Sequence, residues 1–265
     1  MKTFILRAAG APITLTEPMN DTDERFSYDS IAAEYATKVD SAPYNALYER
    51  PAMLAALPDV DGRRILDAGC GSGWYSQQLL ERGAIVDAFD ASSAMAQYAR
   101  DRIARLPQNV RERSNIVVSD LSQVLPYANG IFDGIISPLV MHYLPDWRPA
   151  LREFARVLKP GGWMLLSTHH PAADAAHFNT KDYFRTEHVK DHWWVGEVQF
   201  YRRSLTEIFL SLRDSGFTID RVIEPMPTEA FRHAQPESYE KLMRQPEFLI
   251  ILARPIDSVP GAENA

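Results

Sequence analysis

The chain has a single cysteine, Cys70, among 265 residues. No intrachain disulfide is possible, and a zinc cluster built on several thiolates is excluded. A lone thiol fits a reducing compartment. Long apolar runs are also missing. The stretch from Met1 to Gly10 is briefly apolar, but Arg7 interrupts it and it is too short for a signal peptide with a cleavage site. Nothing approaches the roughly 18 apolar residues that span a bilayer. The expectation is a soluble, cytoplasmic protein that engages no membrane. A basic excess is missing as well: 28 Lys and Arg face 35 Asp and Glu, for a formal net charge of -7. Binding to a nucleic-acid backbone needs clustered cations that neutralise phosphates. The densest basic stretch, Arg100 to Arg113, includes Asp101 and Glu112 and reads as a solvated helix face and loop. No nucleic-acid partner is expected.

What is present is a chain that is 46% hydrophobic and 11% aromatic, enough for one sizeable core. Residues 1–60 read as a loose N-terminal arm followed by a helical cap. Ser27 or Asp29 can cap a first helix, in which Ile31, Tyr35 and Val39 share a face. Pro51 can start a second helix that runs to Leu57. From 61 to 168 short apolar runs alternate with amphipathic stretches. Strands are expected at Ile65–Leu66, Ala84–Phe89, Ile116–Ser119, Phe132–Ser137 and Trp163–Thr168. Helices are expected at Trp74–Arg82, Ser92–Leu106 and Trp147–Leu158, the last ended by Pro160-Gly161-Gly162. Residues 169–203 break this rhythm and read as an inserted lid rich in His, Asp and aromatic residues. A helix from Leu205 to Ser215 and strands at Phe217–Ile223 and Phe248–Ala253 close the chain. The pattern predicts a doubly wound, Rossmann-like α/β fold in one domain, with a mainly parallel seven-stranded sheet and an antiparallel edge strand.

The segment Ile65-Leu66-Asp67-Ala68-Gly69-Cys70-Gly71-Ser72-Gly73-Trp74 is a strand ending in a glycine loop that enters a helix. Glycines at 69, 71 and 73 tolerate positive φ and let a ligand lie on the backbone. The free N–H groups at the helix start favour a carboxylate or phosphate. Two cofactor classes are separated by spacing. A dinucleotide fingerprint reads G-x-G-x-x-G, whereas Trp74 stands where a third glycine counted from Gly71 would fall. Asp67 ends the strand, and a carboxylate there repels a pyrophosphate but suits a ligand with a cationic amine.

This segment resembles motif I of the class I S-adenosylmethionine (SAM)-dependent methyltransferases. The resemblance implies SAM as methyl donor and further site positions, each of which has a match in this chain. Asp90, at the end of the second strand, would hold the ribose hydroxyls, with Ala91 beside it. Asp120 and Leu121, after the third strand, would lie near the adenine. The fourth strand should start Phe-Asp, as Phe132-Asp133 does, and it carries Ser137 towards the cofactor. A His-Tyr pair (His142-Tyr143) and a Leu-Lys-Pro-Gly-Gly turn (Leu158 to Gly162) follow. Tyr28-Asp29-x-x-Ala32-x-x-Tyr35 is similar to the N-terminal helix that closes over SAM in the branch resembling the ubiquinone- and menaquinone-biosynthesis methyltransferases. The likeness covers residues 26 to 168 well and the remainder in layout only.

Several of these residues have a second, purely structural reading. The glycines suit a tight turn, Asp90 and Asp120 suit helix capping, and Tyr35 and Met95 suit the core as well as the SAM pocket. His142, His169 and His170 are the candidates for a catalytic base, since they follow the fourth and fifth strands, whose carboxyl ends face the ligand crevice. In the lid, His177, His188 and His192 with Asp174, Asp182 and Asp191 suggest a metal site, but no H-E-x-x-H pattern orders them and no metal is expected. Phe178, Tyr183, Phe184 and Trp193-Trp194 either wall an acceptor pocket or anchor the lid. The expected partner is a small-molecule methyl acceptor, and the chain is expected as a monomer or homodimer. An NAD-dependent oxidoreductase or a silent SAM-binding module are the alternatives.

Overall fold

The computed structural model describes residues 32–193 and 196–256. The N-terminal arm, the cap at Ser27 or Asp29, the Tyr28 end of the early motif and Trp194 lie outside the described residues. Helix α1 (Ala32–Lys38) leads through a π-helical turn (Asn45–Glu49) into α2 (Arg50–Ala56). The central elements are β1 (Arg64–Ala68), α3 (Trp74–Glu81), β2 (Ile85–Asp90), α4 (Ser93–Ile103), α5 (Gln108–Arg111), β3 (Ser114–Val118), β4 (Phe132–Pro138), α6 (Arg148–Val157) and β5 (Leu158–His169). Then come α7 (Pro171–His177), β6 (Glu187–Trp193), β7 (Gly196–Arg202), α8 (Leu205–Asp214), β8 (Phe217–Ile223), α9 (Glu229–Ala234), α10 (Pro236–Leu242) and β9 (Phe248–Pro255).

Seven strands form one sheet in the order β3-β2-β1-β4-β5-β9-β8. Strands β1 to β5 are mutually parallel; β9 runs antiparallel to both β5 and β8. The antiparallel strand thus falls at the β8 end of the sheet, one place in from its border. Both sheet faces are apolar because successive side chains alternate between them. Leu66, Ile135, Leu166 and Ile251 pack on one face with Phe154 of α6 and Leu212 of α8. Ile65, Ile136, Leu165 and Ile250 pack on the other with Leu79 of α3, Ala99 of α4 and Met53 of α2. Helix α6 buries Ala150, Leu151, Phe154 and Val157, a single helical stripe.

Helix α6 ends at Val157 and the chain is already in β5 at Leu158, so Pro160-Gly161-Gly162 lies within the strand and does not itself stop the helix. The residues between Leu158 and Trp163 bulge out of the ladder, which pairs Phe132 with Leu158 and then Gly134 with Trp163. The expected lid holds a helix, α7, and a separate two-stranded hairpin, β6–β7. No helix among the described residues is long and apolar enough to cross a membrane.

The strand order reverses at β1: β2 and β3 lie on one side of it, β4 and β5 on the other. In such sheets ligands bind beyond the carboxyl ends of the strands at this switch.

Candidate SAM site

The chain leaves β1 through a turn in which all three glycines have positive φ, +79° at Gly69, +51° at Gly71 and +79° at Gly73. Only at Gly71 is the space beyond the α-carbon open. A Cβ at Gly69 would meet Val140 Cγ2 at 2.5 Å, and one at Gly73 would meet the Ala99 backbone at 2.9 Å; at Gly71 nothing lies within 4 Å. Two of the glycines therefore serve close packing, and the third leaves room for a ligand. Gly71→Ala should keep the fold, at a backbone cost of about 1–2 kcal/mol, yet block ligand binding. Gly69→Ala should lower the melting temperature more than Gly71→Ala. Thermal unfolding together with SAM titration separates the two, and equal effects of the two variants on both readouts would contradict the division.

Asp90, at the end of β2, orders the loop. Its Oδ2 accepts from the Gly71 N–H at 2.8 Å and its Oδ1 from the Ser92 N–H at 2.9 Å. The α4 N-cap is Ser92, whose Oγ accepts from the Met95 N–H, so Asp90 is not the cap. Asp90 also borders the cavity described below. Asp120 makes a similar local turn, accepting from the Ser122 N–H at 2.7 Å. Asp67 is fully buried. Its Oδ2 accepts from Ser76 Oγ at 2.6 Å, while Oδ1 has no partner among the described residues. Burial pushes its carboxyl up to about 7, against the Ser76 hydrogen bond and with help from the negative charge of Asp90.

Facing these residues is Arg50, at the start of α2. It is buried, its guanidinium lies 4.2 Å from the Trp74 ring centroid, and its Nη2 reaches Asp40 at 3.3 Å. Its Nη1 has no partner among the described residues. The neighbouring Glu49 is also buried and accepts from Ser167 Oγ at 2.5 Å and the Tyr75 hydroxyl at 2.8 Å, with burial raising its carboxyl above the usual range. Arg50 is not among the positions that the sequence motifs single out; only the fold shows that it is buried.

A cavity of about 590 Å³ joins these parts. Tyr35, Arg50, Asp67, Gly69, Gly71, Asp90, Ala91, Met95, Asp120 and Leu121 line it, and it runs on to Leu139, Tyr143, His188, Gln199 and Tyr201. An unpaired carboxylate oxygen and an unpaired guanidinium nitrogen bordering one cavity match the ammonium and carboxylate of an amino acid. Beside them lie an acid at the end of β2 and another after β3. This donor set fits the methionine, ribose and adenine parts of SAM.

Residues 66–166 match the family described as methyltransferase domain. The malonyl-[acyl-carrier protein] O-methyltransferase of Erwinia pyrifoliae is 40% identical over 108 residues, covering 40% of this chain and 37% of that enzyme. The ubiquinone biosynthesis O-methyltransferase of Alkalilimnicola ehrlichii is 30% identical over 168 residues, covering 58% of this chain and 65% of that one. The chain thus spans between about a third and two thirds of these relatives. A SAM-dependent methyltransferase crystal structure from Mesorhizobium loti superposes with a TM-score of 0.63 and 28% identity, covering 82% of this chain and 99% of that one. Residues 66–166 thus carry a methyltransferase domain, and most of the chain is similar to a SAM-dependent methyltransferase.

Within this site not every expected residue meets the cavity. Gly73 packs on α4 instead. Ser137 is buried and donates from Oγ to the Ala68 carbonyl at 3.2 Å, tying β4 to β1; Pro138 takes its place in the lining. The three candidate bases are a further correction, since none of them lines the cavity. His142 is buried, with neither ring nitrogen hydrogen-bonded among the described residues. It stacks on His169 at 4.2 Å, and Phe200 of the lid hairpin closes edge-on over both. Burial holds His142 well below the imidazole range and His169 down to about 4, so neither is poised to take a proton at neutral pH. His169 Nδ1 lies 3.6 Å from Asp174. His170 is occupied by structure: Nδ1 accepts from the Ala172 N–H at the start of α7, and Nε2 faces Glu224 at 2.9 Å. The carboxyl ends of β4 and β5 do reach the crevice, but the turn after β4 rotates Tyr143 into it and His142 away. Of the lid aromatics, Phe178 and, within the hairpin, Trp193 pack against Val198 and Phe200, and Phe184 is exposed. His188 and His192 stand four residues apart, but on a strand that spacing separates them by roughly 13 Å.

Proposed function

We propose that this methyltransferase transfers the methyl group of SAM to a small-molecule N, O, S or C nucleophile by in-line displacement and releases S-adenosylhomocysteine. Residues 169–203 act as a lid inserted in one catalytic domain. The observation that carries this reading is the continuity of the cavity from the glycine loop to the inner wall of the lid. Donor and acceptor share one continuous cleft of a size suited to small ligands. The buried free Cys70 is in keeping with a cytoplasmic setting. Asp67 receives the α-ammonium of SAM, Arg50 its carboxylate, Asp90 its ribose hydroxyls, and Asp120 and Leu121 flank its adenine. SAM supplies a methyl already made electrophilic by the sulfonium. The protein then contributes alignment and exclusion of water. The relatives named for malonyl-[acyl-carrier protein] and ubiquinone biosynthesis methylate oxygen in small or carrier-bound compounds, which accords with a non-polymer acceptor.

Incubation with methyl-labelled SAM and a cell metabolite extract should place label in a small molecule. Label confined to protein or RNA would overturn the proposal. Arg50→Met keeps the stack on Trp74 but removes the cation, and should weaken S-adenosylhomocysteine binding about 10- to 100-fold by calorimetry. An unchanged affinity would take the carboxylate away from Arg50.

A further inference from the structure

We infer that Asp40, on the connection between α1 and α2, is a positioning residue for the amino-acid end of the methyl donor. It sets the direction of the Arg50 guanidinium and ties that group to the glycine loop. This rests on the proposed SAM site and adds to it a residue outside the cavity lining.

A guanidinium buried beside Trp74 faces two demands. It must stay charged with little hydration, and its fork must hold one orientation. The Trp74 ring, with its centroid 4.2 Å from the guanidinium carbon, attracts the cation but leaves it free to turn over the ring face. Glu49, the preceding residue, does not supply the direction, because its carboxyl oxygens are engaged by Ser167 and Tyr75. Asp40 does: its Oδ1 accepts from Arg50 Nη2 at 3.3 Å. With that terminal nitrogen held, Nη1 is the one left without a partner among the described residues.

The same carboxylate serves a second guanidinium. Asp40 Oδ2 accepts from Nη2 of Arg102, near the end of α4. Arg102 Nε donates to the Ser72 carbonyl at 2.8 Å, and its Nη1 to Gln77 of α3 at 3.3 Å. Ser72 belongs to the glycine loop and borders the cavity. Asp40 is thus the middle of a chain from Ser72 through Arg102 to Arg50, which refers the position of Arg50 to the loop on which the ligand lies. Each carboxylate oxygen holds a different arginine. An amide has one acceptor oxygen and cannot hold both in this way. Without the carboxylate two cations face each other, and Arg50 loses its reference point.

One effect opposes this. Asp40 is also an anion near the ligand carboxylate, and its removal leaves Arg50 more positive. The Asp40 side chain is 37% exposed, so water screens that repulsion, whereas the Arg50 side chain whose orientation is lost is only 7% exposed. Loss of orientation outweighs relief of repulsion.

Calorimetry with two ligands tests the inference. S-adenosylhomocysteine carries the amino-acid end; methylthioadenosine has the same adenosine and a thioether but lacks that end. Asp40→Asn should weaken S-adenosylhomocysteine binding about tenfold and leave methylthioadenosine binding unchanged, which also shows that the variant is folded. In an Arg50→Met background the same substitution should change neither affinity, because the group it acts through is gone. Equal weakening for both ligands would make Asp40 a support of the fold. Unchanged or tighter binding of S-adenosylhomocysteine would show that Arg50 needs no such hold, and an undiminished effect in the Arg50→Met background would route the effect elsewhere. Each of these three results overturns the inference. If Arg50→Met itself leaves S-adenosylhomocysteine affinity unchanged, the carboxylate site fails and the role of Asp40 with it, while SAM binding stands. A parent protein that binds neither ligand overturns the proposed function as well.

Discussion

Between about pH 5 and pH 7 SAM binding should tighten roughly tenfold per pH unit, and the gain should end near pH 7. The cause is Asp67, whose carboxyl burial has pushed up to about 7. In the free protein it is protonated below that value. The ammonium of SAM, set beside Oδ1, favours the carboxylate, so binding ionises Asp67 and releases a proton. A ligand that binds the ionised form gains affinity as pH rises through the free-protein pKa and then stops gaining. The effect on folding has the opposite sense. An acid whose folded pKa is raised above its unfolded value of about 3.9 contributes stability that is full below that value and lost as pH rises through about 7. The ligand-free protein should therefore lose stability from Asp67 over the interval in which SAM binds more tightly, and saturating SAM should offset the loss. Glu49 is raised as well, but it is engaged by Ser167 and Tyr75 and lies outside the cavity lining. Asp67→Asn isolates the term: the amide oxygen can still accept from Ser76, but the slope should vanish. Calorimetry in two buffers of different ionisation enthalpy, across this range, measures both affinity and protons released. A dissociation constant independent of pH, with no proton released, would remove Asp67 from the ammonium site.

The Asp67 position was legible in the sequence because the physics there is local. Ile65-Leu66 must alternate across the sheet, the glycines must turn, and an acid closing the strand faces whatever lies on the loop. The sheet was legible for the same reason: strands apolar on both faces leave little choice but a covered parallel sheet. The lid hairpin was not. One face carries His188, Lys190, His192, Glu197, Gln199 and Tyr201, and the other includes Glu187, Asp191 and Arg202, so the apolar alternation that marks a strand is thin. Helices α9 and α10 are short and largely polar and carry equally little signal. The histidines illustrate a different limit. Sequence places His142 and His169 at the correct end of the sheet, but which way a side chain turns after a strand depends on one backbone step. Here that step is Leu139, with φ of +54°, followed by a single 3₁₀ turn (Met141–Tyr143). Arg50 shows the converse. Its signal was an arginine followed by proline in an otherwise apolar stretch, and only the fold reveals that it is buried.

Arg202→Ala should separate the lid from the SAM site, abolishing methyl transfer while leaving SAM affinity unchanged. Arg202 is 1% exposed, and its guanidinium organises the whole approach to the hairpin. Nε donates to Glu187 at 2.7 Å, Nη2 to the Asp182 carbonyl at 2.7 Å and to Thr180 Oγ1, and Nη1 to the Tyr183 carbonyl at 3.4 Å. Tyr183 in turn accepts from the Leu205 N–H at 3.0 Å through its hydroxyl, joining the segment to α8. One planar fork therefore ties residues 180–187 to β7, and no single ammonium reproduces its directions. Removal strands two backbone carbonyls and the Glu187 carboxylate, at a cost on the order of 3 kcal/mol. The cost falls on the lid alone, because Asp67, Asp90 and the glycine loop make no contact with this fork. Limited proteolysis should cut between 180 and 187 in Arg202→Ala and in Arg202→Lys but not in the parent protein, while S-adenosylhomocysteine binds all three alike. If SAM-site affinity fell in step with lid order, the lid would be part of the cofactor site rather than the acceptor wall. If activity survived cleavage, the hairpin would have no part in the chemistry.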